Sequence, residues 1–303
     1  MPSLRAKLIN RLVRRSFKSL PLADMEPSAV RAHVDALNGG VARLRALAPV
    51  RGVSIETVAA PIAGEWQRPE AHTTDRVILY LHGGGYVFCS PRTHRSLTVA
   101  LAKMTNAPVF SLDYRLAPEH PCPAAIEDAV AAYEMVLAAR YSPGNVYVGG
   151  DSAGGGLALA LLQRLRAEDR PMPGGAFLYS PWTDLTVSGR SAVENAEADA
   201  MFTLDTIQRG AHRYAGDLPL DDPRVSPLFG SFKGLPPLLI FASADEILRD
   251  DAVRLHDAAS AEGIDSTLIV EDGLVHVWPV FYPLMPEARE TIATTADFVA
   301  KSA

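Results

Sequence analysis

Two hydrophobic rhythms alternate along this chain. The short, nearly continuous apolar run Arg76–Leu81 predicts a buried strand, and Val109–Leu112, Val146–Val148, Ala176–Tyr179, Leu238–Ala242 and Ser266–Val270 read as further strands. Between them lie helical patterns at Val99–Thr105, Pro123–Arg140, Leu157–Ala167, Asp250–Glu262 and Pro286–Lys301. Ahead of these, Ser28–Leu47 reads as a helix bounded by Pro27 and Pro49, and Val53–Ile62 alternates like a strand at a sheet edge. Strand and helix alternating at this pitch predict right-handed crossovers and a mostly parallel sheet flanked by helices, an α/β protein.

The rhythm stops between about Asp184 and Phe232, where helical fragments carry Met201, Phe202, Tyr214 and Phe229. An insertion of that length between core strands predicts a lid or substrate-binding cap. No repeat or linker divides the chain, so residues 1–303 are expected to form one domain with that cap. Residues 1–20 form a second feature, with Leu4, Leu8, Ile9, Leu12, Val13, Phe17 and Leu20 at helical spacing. Such a helix suits either an anionic lipid surface or the cover of a hydrophobic pocket, and large apolar residues spaced this way favour the cover.

Charge sharpens the contrast. The chain carries a net charge of −6, yet Arg5, Lys7, Arg11, Arg14, Arg15 and Lys18 all precede the first acid, Asp24. The remainder is therefore strongly acidic, which argues against nucleic acid as a partner. Hydrophobic residues make up 48% of the chain without any run long enough to span a bilayer, so no transmembrane segment is expected. Cys89 and Cys122 offer neither a disulfide framework nor a metal-type pair, and fit a reducing cytoplasm. Nucleotide-binding signatures are missing too, and neither a cofactor nor a metal is expected.

The chemistry gathers at Gly150-Asp151-Ser152-Ala153-Gly154, a G-x-S-x-G pattern between a strand and a helix. Glycines two positions either side of the serine relieve a turn that thrusts one side chain off a strand end, the nucleophile elbow. Serine needs a base in reach and a third group to orient that base. Downstream of Ser152 stand His212, in the insertion, His256, inside a helix, and His276, just past a strand, so His276 is the expected base. Asp245 follows the strand Leu238–Ala242 and is the expected acid, with Glu246 beside it as second choice. Upstream, His82-Gly83-Gly84-Gly85 supplies backbone N–H donors from Gly83, Gly84 and Gly85 to an oxyanion. Tyr86, Met201, Phe202, Tyr214 and Trp278 are the expected pocket residues.

These motifs, with Asp113-Tyr114-Arg115-Leu116-Ala117-Pro118-Glu119-His120-Pro121, make the sequence resemble the bacterial hormone-sensitive-lipase-like (family IV) esterases of GDSAG type, from about Val77 onward. The resemblance implies the α/β-hydrolase fold and hydrolysis of short- to medium-chain esters by Ser152, Asp245 and His276. It implies an oxyanion hole of Gly84, Gly85 and Ala153 N–H groups and a cap built from residues 1–50 and 184–232. Many relatives dimerise through a sheet edge, so a homodimer is within its implications. An amidase or deacetylase would use the same triad, whereas receptors of this fold lack the histidine that stands here as His276.

Overall fold

The computed structural model describes residues 1–21, 24–46, 52–70, 72 and 74–301, with the backbone alone for 38–46. In chain order its elements are α1 (Leu4–Val13), α2 (Pro27–Ala46), β1 (Val53–Val58), β2 (Gly64–Pro69), β3 (Val77–Leu81), α3 (Pro91–Thr105), β4 (Val109–Leu112), α4 (Ala124–Ala138) and β5 (Val146–Asp151). There follow α5 (Ala153–Ala167), β6 (Gly175–Tyr179), α6 (Ser191–Glu194), α7 (Leu204–Ala215), β7 (Leu238–Ser243), α8 (Arg249–Ala261), β8 (Ser266–Glu271) and α9 (Pro286–Lys301). The eight strands form one sheet in the order β1-β2-β4-β3-β5-β6-β7-β8. β2 runs antiparallel to both β1 and β4, and every later pairing is parallel. The expected α/β architecture is present.

The central strands are buried on both faces, which is why they read as continuous apolar runs. Along β5 alternate residues serve opposite layers: Val146 and Val148 pack into the core that includes α4 and α5, and Tyr147 into the one that includes α3 and α9.

Three departures from the sequence pattern have physical causes. β2 was not expected, because Gly64-Glu65-Trp66-Gln67-Arg68 is polar for a strand. Its buried Glu65 is satisfied by both nitrogens of the Arg95 fork, reaching across from α3. α3 starts at Pro91 rather than Val99, launched by a Ser90–Thr93 capping box with proline in its first turn. α5 starts at Ala153 rather than Leu157, since its three glycines admit neighbouring backbone instead of breaking the helix.

The N-terminal segment is stapled to the body beside the sheet's carboxyl edge. Ala6, Ile9 and Val13 of α1 are buried in the same core as Leu274, Val275 and Trp278. Asn10 donates to the Gly273 carbonyl at 3.0 Å, and Arg14 and Lys18 donate to carbonyls of residues 196–199. On α2, Arg31 donates to the Val87 and Ala117 carbonyls and pairs with Glu119.

Candidate active site

At the end of β5 the chain turns so sharply that Ser152 adopts φ 50°, ψ −122°, a conformation rare for any residue with a side chain. The glycines around it are sterically required. A Cβ on Gly150 would stand 2.2 Å from the Gly154 carbonyl oxygen, and one on Gly154 would stand 2.0 Å from that of Leu81. The turn is held by Ser152 N–H donating to Tyr179 O at 2.9 Å and by Trp182 N–H donating to Ser152 O at 2.9 Å. It is a nucleophile elbow in form, at the carboxyl end of the parallel strands.

His276 lies in the loop after β8, 2% exposed. Its Nδ1 meets Oε2 of Glu246 at 2.5 Å, and Glu246 is itself 1% exposed. Here the sequence expectation is corrected: Asp245 is not the carboxylate on His276. In the turn after β7 the Asp245 N–H donates to Ser243 Oγ at 3.2 Å and the residue stays half-buried, while Oε1 of Glu246 receives Ser243 N–H at 2.9 Å. Glu246, one residue further along the turn, is the one whose carboxylate meets the imidazole. Burial disfavours the imidazolium, but the charge of Glu246 and its hydrogen bond outweigh that and hold the His276 pKa above the ordinary histidine value. Nε2 of His276 is buried and finds no partner among the described residues.

The acid's loop is fixed from the insertion. Asn195 Nδ2 donates to the carbonyls of Ala244 and Glu246 at 2.7 and 2.8 Å. Asp199 accepts Ile247 N–H on Oδ2 and the N–H groups of Met201 and Phe202 on Oδ1, at 2.6–2.9 Å. Neither Asn195 nor Asp199 was singled out in the sequence, where polar residues in an irregular stretch carry no signal of their own.

After β3, His82-Gly83-Gly84-Gly85 runs beside the elbow. Gly83 N–H donates to Asp151 Oδ1 at 3.1 Å, so this N–H, expected among the oxyanion donors, is already spent. The N–H groups of Gly84, Gly85 and Ala153 find no acceptor among the described residues. Asp151 is the anchor of the loop, since Tyr80 Oη donates to it at 2.7 Å and His94 Nε2 meets it at 3.1 Å. Burial works against its charge, but attraction and hydrogen bonding from His94, with the Tyr80 hydroxyl, keep its pKa below the ordinary value. Burial, reinforced by nearby His94, pushes His82 down to about 3. His82 is therefore neutral, stacked on Tyr114 at 4.3 Å, with Nδ1 2.7 Å from Gly83 O.

A small pocket of about 40 Å³ opens over Ser152. Gly85, Val87 and Phe88 of the loop after β3 line it with Val30 of α2, Trp182, Phe202, and Thr206, Ile207, Gly210 and Arg213 of α7. Phe202 is the one expected pocket residue that reaches it, and its ring stands edge-on to His276 at 5.2 Å. The other four are corrected. Tyr86 and Tyr214 stack on each other at 3.6 Å, buried rather than lining it. Met201 is half-buried between the two cores. Trp278 is fully buried against Phe241, its Nε1 donating to Thr291, because Val277 at φ 53° turns the chain inward after His276. Trp182, Val30 and the α7 residues were missed. For α7 a signal existed, since Thr206, Ile207, Gly210 and Arg213 recur at helical spacing.

A serine on a strained elbow, a buried carboxylate–imidazole pair and unpartnered amides beside a pocket define a hydrolase site. The chain belongs to the α/β-hydrolase fold family, whose model matches residues 78–280, and within it to the bacterial hormone-sensitive-lipase-like carboxylesterases. It is 43% identical over 235 residues to an acetyl-hydrolase of Streptomyces hygroscopicus, covering 78% of each chain. An esterase of Acinetobacter venetianus is 34% identical over 289 residues, covering 95% of this chain and 93% of its own. The crystal structure of an esterase from the bacterial hormone-sensitive lipase family superposes with a TM-score of 0.92 at 36% identity, over 100% of this chain and 99% of that one. The enzyme hydrolyses carboxylic esters.

Proposed function

We propose that Ser152, His276 and Glu246 form a catalytic triad acting on short- to medium-chain acyl esters through an acyl-enzyme. Ser152 Oγ attacks the ester carbonyl as its proton passes to Nε2 of His276, while Glu246 holds the tautomer on Nδ1 and stabilises the imidazolium. The imidazolium then protonates the departing alkoxide. A water molecule, activated by the same imidazole, releases the acid and restores the serine. Gly84, Gly85 and Ala153 N–H groups receive the oxyanion of both tetrahedral intermediates.

The observation that carries this reading is the buried Glu246–His276 pair, with Nε2 left over for a nucleophile's proton. The acyl preference rests on the pocket's size and its bulky walls, Trp182, Phe202 and Ile207. The likeness to an acetyl-hydrolase supports it. We assign the cap to the N-terminal helices and the insertion after β6, with residues 22–23 and 47–50 of that assignment outside the described ones.

The test is hydrolysis of p-nitrophenyl esters from acetyl to palmitoyl, with phosphonate labelling of the active enzyme. Turnover is expected to peak among the short chains, and inactivation to add one phosphonyl group to the peptide holding Ser152. A label on any other residue, with activity lost in step, would overturn the triad.

The pH dependence follows from His276. Only its neutral form accepts the proton, and Glu246 raises its pKa, so the acidic limb of kcat/KM should have its midpoint above the ordinary histidine value of about 6.5. Burial lowers this pKa, and Glu246→Gln removes the largest of the influences that raise it, leaving the weaker ones of Asp199 and Asp151, so the residual activity should show this limb at lower pH. Profiles of both enzymes check it, and an unmoved limb would contradict the pairing.

A further inference from the structure

We infer that α1 is a docking surface for anionic membranes, holding the enzyme on lipid by its outer face. The inner face, Ala6, Ile9 and Val13, is seated on the body. Leu4, Leu8 and Leu12 follow one another at every fourth position and point away from it, 84%, 56% and 52% exposed. Three leucines in one exposed row exceed what scattered surface apolar residues explain.

Charge names the occupant. Arg5, Lys7, Arg11 and Arg15 are all exposed. At 100° per residue Arg5 falls on one side of the leucine row, with Lys7 and Arg11 on the other. Leucines flanked by cations are the pattern of a helix lying at a lipid interface, apolar row among acyl chains and cations at anionic headgroups. The two cations that hold the body, Arg14 and Lys18, are spent on carbonyls of residues 196–199. Glu287, which meets the helix start, is engaged by the Ser3 N–H and hydroxyl at 2.7 and 3.1 Å. The rest of the chain is acidic, with the whole at −6. It is repelled by such a surface, which orients the molecule with α1 toward lipid.

The experiment is co-sedimentation of the full chain with phosphatidylcholine vesicles, and with vesicles in which part of that lipid is replaced by phosphatidylglycerol. Binding to the anionic vesicles is expected to exceed that to the neutral ones at least about tenfold, and to fall as salt rises. Each of Arg5→Gln and Arg11→Gln should weaken it roughly fivefold. Leu4→Ser/Leu8→Ser/Leu12→Ser should abolish it while leaving the circular dichroism spectrum and the thermal unfolding midpoint unchanged, since all three side chains are exposed and none belongs to a core. Equal binding to both vesicle types, or a triple variant that sediments like the parent, would overturn the proposal. So would a dimer in solution that the triple variant disperses, which would assign the row to a second copy of this chain. Sedimentation is read without catalysis, so its failure is distinct from failure of the triad.

Discussion

Substituting Glu246 with glutamine is expected to lower kcat by about 10³–10⁴-fold, whereas Asp245→Asn should stay within a few fold of the parent. The amide is nearly isosteric, so it keeps the contact with His276 Nδ1, but it removes the charge that stabilises the imidazolium. It can also donate to Nδ1 and thereby favour the wrong tautomer. The chain offers its own control, since Asp245 is adjacent in sequence and carries the same charge, yet is only half-buried and makes no hydrogen bond to His276. Steady-state kinetics of the two variants on one soluble ester, with circular dichroism to confirm folding, separate them. A large loss in Asp245→Asn with a small one in Glu246→Gln would reverse the assignment.

Ser152→Ala is expected to lower kcat by about 10⁶-fold. No neighbouring group can replace the oxygen, so what survives is binding and oxyanion stabilisation acting on water. The substitution also probes the elbow, because alanine is held at the same φ of 50° without any hydroxyl to justify it. Relief of that strain is not available to a residue with a Cβ, so stability should change little. Activity above the limit set by trace parent enzyme would remove Ser152 from the chemistry.

Much of this was legible in the chain because it depends on local rules. The elbow announces itself through glycines that sterics demand, and His276 through its place after the last core strand. The choice between Asp245 and Glu246 was not legible, since both sit in one tight turn and only the course of the backbone decides which side chain passes beneath the imidazole. Trp278 misled for a similar reason: adjacency to His276 suggested the pocket, but a single left-handed residue, Val277, sends it into the core. On α1 the apolar pattern was wider than one face, and sequence alone could not tell that Ile9 and Val13 would turn inward while Leu4, Leu8 and Leu12 stayed out. β2 was hidden because its buried Glu65 is neutralised by Arg95 on α3, a long-range pairing that no local window contains.

The contacts of Asn195 and Asp199 have a consequence for how such an enzyme can change its substrate. The same short stretch that positions Phe202 at the pocket wall also grips the turn carrying Glu246. Remodelling that wall to admit a new acyl group therefore perturbs the basicity and aim of the imidazole at the same time. Variants selected for altered specificity in this stretch will tend to lose turnover first and regain it through second changes near residues 244–247. Changes on α7, whose residues line the pocket but make none of these hydrogen bonds to the turn, offer the smoother route to new esters.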